Sequence, residues 1–226
     1  MILPFATPAL VVSCQARPDS PLHGPSFMAA MAKAAVQGGA KAIRANGPAD
    51  IRAIRAATAA PIIGLNKIRD EKHAVYITPS LESARTVAEA GADMIAIDAT
   101  SRPRAGEPVA DLIRGIRRDL GKPVLADIDT LECALSALGH GADAVATTLA
   151  GYTESRAKSP GPDFDLLRQL VETVRVPVIA EGRIWTPEEV AHAFALGAAA
   201  VVIGTAITNP REITRRLGAA VPGYDR

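Results

Sequence analysis

Aromatic residues and cysteines are scarce in this chain. Phe, Trp and Tyr make up 4% of the 226 residues, whereas hydrophobic residues as a whole make up 48%. A core made of Ala, Val and Ile rather than aromatic side chains is typical of a closely layered α/β protein. The two cysteines, Cys14 and Cys133, do not make a disulfide framework and suit a reducing compartment. We therefore expect a cytoplasmic protein.

An excess of charge of either sign is also missing. Lys and Arg number 25 and Asp and Glu number 24, which leaves a formal net charge of +1. This balance gives no electrostatic reason to expect binding to nucleic acid or to an acidic membrane surface. The apolar stretch at residues 193–207 has 15 residues and is too short to span a bilayer. We expect neither nucleic acid nor a membrane as a partner.

Sequence motifs for metals and nucleotide cofactors are missing too. The four histidines show no metal-ligand spacing, and neither a P-loop nor a G-x-S-x-G elbow occurs. Residues 139–144, GHGADA, match a dinucleotide-binding pattern, but they end a predicted helix and precede a predicted strand. Dinucleotide binding requires the reverse order. We therefore expect no metal and no organic cofactor.

What the chain does contain is a repeat of two short phrases that alternate. Gly-Ala followed by an apolar run begins near residues 39, 91, 141 and 197, and Pro followed by an apolar run begins at 8, 61, 123 and 177. Interleaved, these phrases predict eight strands, with a Gly-Ala phrase about every fifty residues. Glycine just past a helix end is a C-cap signal, so each Gly-Ala phrase also predicts a preceding helix.

Stretches with apolar residues at helical spacing lie between most of these strands. They are residues 26–37, 81–90, 109–120, 131–138, 164–174 and 186–196. The sequence TPEE at 186–189 has the N-cap and the later Glu of a capping box. Eight strand–helix units predict a (β/α)8 TIM barrel, an α/β fold that occupies residues 1–226 as a single domain. A doubly wound sheet is the alternative, and the even eightfold repeat favours the barrel.

Each apolar run ends in a polar residue or a glycine. In a TIM barrel the chemistry gathers at the C-terminal ends of the strands. The residues at these ends include Gln15, Arg44, Lys67, Asp98, Asp127, Thr148, Tyr152, Glu181, Gly182, Arg183, Gly204 and Thr205. We expect Glu181 to stand at the mouth of the barrel rather than in its core. A static ion pair with Arg183 or Lys67 is the structural alternative for this glutamate.

The residue types at this mouth indicate proton transfer on a sugar phosphate. Gly182 and Gly204, after strands 7 and 8, allow backbone amides to approach a phosphate, and residues 207–211 could start a short helix there. A lysine with a lowered pKa and a glutamate with a raised pKa could transfer protons on opposite faces of one carbon and so invert its configuration. Lys67 could instead form the Schiff base of a class I aldolase.

Nine motifs in order resemble those of a known family. They are SCQA at 13, AIRANG at 42, IIGLNK at 62, VYITPS at 75, DATSRPR at 98, LADIDT at 125, TTLAGYT at 147, AEGRIWTPE at 180 and GTAIT at 204. Over most of its length the chain resembles the N-acylglucosamine-6-phosphate 2-epimerases. The resemblance implies a TIM barrel that converts N-acetylmannosamine 6-phosphate to N-acetylglucosamine 6-phosphate in sialic acid catabolism, without metal or organic cofactor.

The resemblance also implies roles for individual residues. It implies that Lys67, in IIGLNK, and Glu181, in AEGRI, are catalytic. It implies that Gln15, Arg44 and Asp127 contact the sugar. Thr148 and Tyr152 are expected to contact the sugar because they lie at the end of strand 6. The phosphate contacts implied are Gly182, Arg183, Gly204 and Thr205. The family-like oligomeric state is a homodimer.

Two other functions compete with the epimerase. One is the class I aldolase, and the other is a barrel that only senses a sugar phosphate, against which the intact Lys67 and Glu181 argue. The chain departs from the family pattern at Ile68, Ser80, Asp129 and Trp185. These departures leave the catalytic residues in place, and they bear on the shape of the mouth and on the preferred acyl group.

Overall fold

The fold is a closed barrel of eight parallel strands. The computed structural model of the chain describes residues 3–69 and 72–223. Within them each strand pairs with the next, and β8 pairs with β1 to close the barrel. The strands are β1 Ala9–Cys14, β2 Ala42–Asn46, β3 Ile62–Leu65, β4 Met94–Asp98, β5 Val124–Asp127, β6 Ala144–Ala146, β7 Val178–Glu181 and β8 Ala200–Ile203. All eight predicted strands, and with them the TIM barrel, are confirmed.

Helices follow the strands and surround the barrel. They are α1 Pro25–Gln37, α2 Pro48–Ala57, α3 Leu81–Glu89, α4 Val109–Leu120, α5 Leu131–Gly139, α6 Phe164–Thr173, α7 Pro187–Ala195, α8 Thr205–Thr208 and α9 Pro210–Gly218. The six predicted helices are confirmed, whereas α2, and α9 beyond its start, were not predicted as helices. A short helix was expected to start within residues 207–211; α9 begins there, at Pro210, and the short helix α8 begins before it, at Thr205.

The Gly-Ala phrases end helices as predicted. Gly39, Gly91, Gly141 and Gly197 each follow a helix and have φ between 100° and 105°. A residue with a Cβ is disfavoured in this left-handed region, so glycine allows the chain to turn sharply from helix to strand. The capping box of α7 is also confirmed, because Thr186 and Glu189 exchange side-chain-to-backbone hydrogen bonds.

The apolar side chains form two layers. One layer packs between the strands and the helices, and the other fills the barrel, because successive side chains of a strand point to opposite faces. Val11, Ile63 and Leu125 belong to the interior layer. Leu3 and Phe5, which precede β1, join this layer and cover the N-terminal end of the barrel. The opposite, C-terminal end remains for the polar residues.

Candidate active site

The polar side chains at the mouth occupy the inward positions that follow the interior apolar layer. On β2 the inward positions hold Ala42 and then Arg44, and on β7 they hold Ile179 and then Glu181. The same two-residue step leads from interior apolar residues of other strands to further polar residues or glycine. These are Lys67, Asp98, Asp127, Thr148 and Gly204. On β1 the step leads from Val11 to Ser13 and then to Gln15. The strand period therefore brings polar side chains from several strands to the same end of the barrel.

Arg44 is the charged centre of this mouth. Its side chain is 1% exposed and forms two parallel hydrogen bonds with Asp127, from Nη1 to Oδ1 at 3.0 Å and from Nη2 to Oδ2 at 2.5 Å. Nη1 also donates to Oε2 of Glu181 at 2.5 Å. Burial acts against the charge of Arg44, but the two carboxylates outweigh it and raise the pKa of Arg44. The guanidinium therefore stays protonated.

Thr147 and Thr148, which follow β6, hold the carboxylates in place. Thr148 Oγ1 lies 2.6 Å from Asp127 Oδ1 and 3.1 Å from Glu181 Oε2, and its single proton can serve one of them at a time. The Thr147 hydroxyl accepts from the backbone N–H of Glu181 and donates to its carbonyl oxygen, both at 3.0 Å. Glu181 is thus fixed through its backbone as well as its carboxylate.

Glu181 lies at the mouth, as the sequence analysis predicts. Its side chain is 15% exposed, and its ion-pair partner is Arg44. The alternative of a static pair with Arg183 or Lys67 is wrong. Burial raises the pKa of Glu181 above its ordinary value; the charge of Arg44 opposes this shift and the Asp127 carboxylate reinforces it. A carboxyl with a raised pKa can hold a proton closer to neutral pH than an ordinary glutamate.

Lys67 follows β3 on the other side of the mouth from Glu181. β3 and β7 are four strands apart in the closed ring of eight, so they lie opposite each other. Desolvation, followed by the nearby charge of Arg44, lowers the pKa of Lys67 to about 8. Lys67 is nevertheless exposed to solvent, where water screens these charges. This lysine loses its proton more readily than an ordinary one.

Gln15 and the two glycines lie at further strand ends. The Gln15 amide donates from Nε2 to Ser13 Oγ at 2.8 Å, while its buried Oε1 has no hydrogen-bond partner among the described residues. Gly182 has φ 116°, and a Cβ added to Gly204 would lie 3.3 Å from the Cβ of Ser13. Gly204 precedes α8, whose first residue, Thr205, is exposed. The backbone of Gly182 can therefore be approached closely by a ligand, whereas Ser13 occupies the space beside Gly204.

Arg183 and Tyr152 form a separate contact on the β6–α6 loop. Arg183 donates to the carbonyl oxygens of Gly161 at 2.7 Å and Ala150 at 2.8 Å, and to Ser159 Oγ at 3.0 Å. Its guanidinium carbon also lies 5.2 Å from the centre of the Tyr152 ring. Three of its five N–H hydrogens therefore serve this loop. The sequence analysis did not anticipate that Arg183 holds the loop.

Direct contacts thus join Arg44, Asp127, Thr148 and Glu181, whereas Gln15 and Lys67 face the same mouth from other strands. Among the residues that the structure describes, no group of three or more His, Cys, Asp or Glu side chains is placed to hold a metal ion. No helix in residues 3–69 and 72–223 is long and apolar enough to cross a membrane. The sequence analysis gave no role to Thr147, which holds the backbone of Glu181, because no sequence pattern marks such a contact.

Comparison with known proteins identifies the family. The family model NanE, described as "Putative N-acetylmannosamine-6-phosphate epimerase", matches residues 28–222. The chain belongs to this family. Two relatives of the family share the name "Putative N-acetylmannosamine-6-phosphate 2-epimerase". The protein from Thermosynechococcus vestitus is 56% identical over 88% of this chain and 87% of its own, and that from Caldanaerobacter subterraneus is 52% identical over 92% and 88%.

A solved structure of the NanE family has the same fold. The N-acetylmannosamine-6-phosphate 2-epimerase from Clostridium perfringens superimposes with a TM-score of 0.93. It is 46% identical, and the match covers 96% of this chain and 94% of that one. The barrel and its strand ends are therefore shared with a NanE protein over nearly the whole length of both chains.

Proposed function

We propose that the protein is an isomerase that inverts C2 of N-acetylmannosamine 6-phosphate to give N-acetylglucosamine 6-phosphate, a step of amino-sugar and sialic acid catabolism. Membership of the NanE family supports the substrate and the reaction. The observation that carries the mechanism is the placement of Lys67 and Glu181 at the C-terminal ends of opposite strands of the barrel. Two proton-transfer groups on opposite sides of a bound sugar can act on opposite faces of one carbon.

The proposed reaction begins with the ring-opened sugar. Its C1 aldehyde acidifies the proton on C2, so a side-chain base can remove that proton and leave an enolate. A second group then returns a proton to the opposite face, and the configuration of C2 is inverted. The lowered pKa of Lys67 and the raised pKa of Glu181 bring both groups closer to the range in which each can exchange a proton.

Arg44 has two tasks in this proposal. Its bonds to Asp127 and Glu181 hold the carboxylates at the mouth, and its positive charge stabilises negative charge that develops on the enolate oxygen. Nη1 and Nη2 already serve the carboxylates, while the buried Nε has no acceptor among the described residues. The stabilisation we propose for Arg44 is therefore mainly electrostatic, acting through its fixed charge.

The remaining residues of the mouth bind the substrate in this proposal. Gln15, Asp127, Thr148 and Tyr152 contact the sugar, and Gly182, Arg183, Gly204 and Thr205 hold the phosphate. β7 and β8 are neighbours, so the last four residues belong to one side of the mouth. The proton donor and acceptor are both side chains, so the reaction requires neither a metal nor an organic cofactor. A homodimer in the cytoplasm, with no nucleic-acid or membrane partner, completes the proposal.

Proton NMR in D2O tests the reaction directly. Purified protein is incubated with N-acetylmannosamine 6-phosphate without added metal, and the expected product is N-acetylglucosamine 6-phosphate with deuterium at C2. Product that retains the C2 proton would point to a shielded proton or to a different mechanism, which a C2-deuterated substrate separates. A folded sample that shows neither conversion nor exchange would contradict the proposed function.

Borohydride separates the epimerase from the aldolase. A Schiff base between Lys67 and a carbonyl substrate would be reduced by borohydride to a stable adduct, detectable by mass spectrometry. We expect no adduct on Lys67 with N-acetylmannosamine 6-phosphate, because this lysine transfers a proton in our proposal. A substrate-dependent adduct on Lys67 would favour the aldolase.

Replacing Arg183 by alanine is expected to raise KM for the phosphosugar by about tenfold or more, because a hydrogen bond to a charged group contributes about 1.5–3 kcal/mol. The change in kcat should be smaller, since in this proposal Arg183 contacts the phosphate rather than C2. Steady-state kinetics on both epimers measures the effect. Arg168→Ala, which removes an exposed arginine paired with Asp165 on α6, is the matched control. An unchanged KM would remove Arg183 from the phosphate site.

A further inference from the structure

The backbone around Lys67 is held by two other parts of the chain, the end of β2 and residues 76–78. The N–H of Asn66 donates to Thr78 Oγ1 at 3.1 Å, and the N–H of Lys67 donates to Asn46 Oδ1 at 2.8 Å. The N–H of Ile68 donates to the carbonyl oxygen of Tyr76 at 2.9 Å. Three consecutive amides are thus bonded just beyond the end of β3, where an unsupported loop would be free to move.

Thr78 has the least usual conformation of these residues. It is fully buried and has φ 44°, in the left-handed region that β-branched residues rarely adopt. Such a residue persists only where its surroundings require it, and strained backbone of this kind clusters at functional sites. The sequence gives no glycine at this position to relieve the strain. The threonine side chain must therefore make contacts that offset this strain.

The contacts that offset the strain are made by the hydroxyl group of Thr78. Its Oγ1 accepts from the N–H of Asn66 and donates to the carbonyl oxygen of Ala96, on β4, at 2.7 Å. The backbone N–H of Thr78 also donates to the carbonyl oxygen of Asn66 at 2.8 Å. One buried side chain therefore ties the residue before Lys67 to a neighbouring strand of the barrel. Alanine or valine could not make either hydroxyl bond.

We propose that Thr78 is a positioning residue for Lys67: with the Asn46 amide, its hydroxyl holds the backbone of residues 66–68 so that the lysine points into the mouth. The proposal rests on the proposed function, in which Lys67 transfers the C2 proton. A proton-transfer group must lie within hydrogen-bond reach of the proton it moves, so a small displacement of its backbone slows the chemical step more than substrate binding.

Two variants of Thr78 test the role of the hydroxyl. Thr78→Val keeps the shape and the branched Cβ but removes both hydroxyl bonds, whereas Thr78→Ser keeps the hydroxyl. We expect Thr78→Val to lower kcat by about tenfold or more with little change in KM, and Thr78→Ser to stay close to the parent protein. Asn46→Ala removes the second bond from a partly buried position and is expected to act in the same direction, and it serves if Thr78→Val does not fold.

The pKa of Lys67 gives a second readout that does not depend on activity. Acetylation of Lys67 is followed as a function of pH by peptide mass spectrometry, with Lys122, at the other end of the barrel, as an internal reference. In Thr78→Val and Asn46→Ala the midpoint should move upward toward that of an ordinary lysine, as Lys67 leaves its crowded position near Arg44. In Thr78→Ser it should stay in place.

The two readouts together separate the failure of this proposal from the failure of the proposed function. If the parent protein has no epimerase activity but the acetylation midpoint shifts as expected, the proposed function fails and the positioning role stands. If folded Thr78→Val or Asn46→Ala shows an unchanged kcat and an unchanged midpoint, the positioning role is wrong. A fall in kcat that Thr78→Ser fails to rescue, with an unchanged midpoint, would reduce Thr78 to a structural residue.

Discussion

Lys67→Ala is expected to lower kcat/KM by about a thousandfold or more, because positioned acid–base groups contribute about 10²–10⁴ to a rate. The protein should remain folded, since Lys67 is exposed and its side chain is not part of either apolar layer. Steady-state kinetics measures the first effect and circular dichroism with thermal unfolding measures the second. A variant with activity like that of the parent protein would overturn the assignment of Lys67.

Lys67→Arg distinguishes a role of Lys67 in proton transfer from a role of its positive charge alone. Arginine keeps a positive charge near Arg44 and the substrate, but it does not give up its proton in proteins. If Lys67 transfers a proton, Lys67→Arg should be about as inactive as Lys67→Ala. Substantial activity in Lys67→Arg would mean that the charge alone is needed. Lys122→Ala, a lysine at the opposite end of the barrel, is the matched control and should leave kcat unchanged.

The fold could be predicted from the sequence because each of its units repeats a local signal. Proline or Gly-Ala begins every strand, and glycine after a helix gives the left-handed turn seen at Gly39 and Gly197. The helices that were not predicted have weaker signals. In α2 only Ile51 and Ile54 are buried, and α9 is mostly polar, with Gly218 as its buried residue. Their positions follow from the barrel, which places a helix after each strand, more than from their own apolar pattern.

The residues that gather at the mouth could be predicted from the sequence, but the contacts between them could not. The alternation of a strand aims Arg44 and Glu181 at the same mouth, and this can be read from sequence. Their pairing joins residues on β2 and β7, which meet only because the sheet closes on itself. The sequence does not indicate whether Glu181 forms its ion pair with Arg44, Lys67 or Arg183. The positive φ of Thr78 could not be predicted either, because a threonine in the sequence does not indicate a left-handed backbone.

The carboxylates of the mouth are not equally useful as probes. Asp127 is fully buried and forms two bonds with the buried Arg44. Removal of one partner of a buried ion pair costs about 3–5 kcal/mol, so a variant of Asp127 would confuse loss of activity with loss of stability. Glu181 is the better probe, because Arg44 keeps Asp127 as its partner when Glu181 is changed. Glu181→Gln also keeps an oxygen that can accept from Arg44 and Thr148.

Glu181→Gln is expected to lower the rate of epimerisation by about a thousandfold while hydrogen exchange at C2 of one epimer continues. Lys67 is intact in this variant, so it can still remove the C2 proton of the epimer that presents it and return a deuteron to the same face. Glu181→Ala should lose epimerisation as well. Proton NMR in D2O, with each epimer supplied separately, measures exchange and conversion in the same sample. Glu188→Gln, an exposed change in the first turn of α7, is the control.

The Lys67 variants should show the opposite preference. In Lys67→Ala, Glu181 remains on the other side of the mouth, so any residual exchange should occur with the other epimer. Crossed preferences would show that each group serves one face of C2, and would reveal which of them takes the proton from N-acetylmannosamine 6-phosphate. If both variants exchange the same epimer, a single group serves both faces and the opposed placement of β3 and β7 does not explain the inversion. Epimerisation at the parental rate in Glu181→Gln would remove Glu181 from the chemistry altogether.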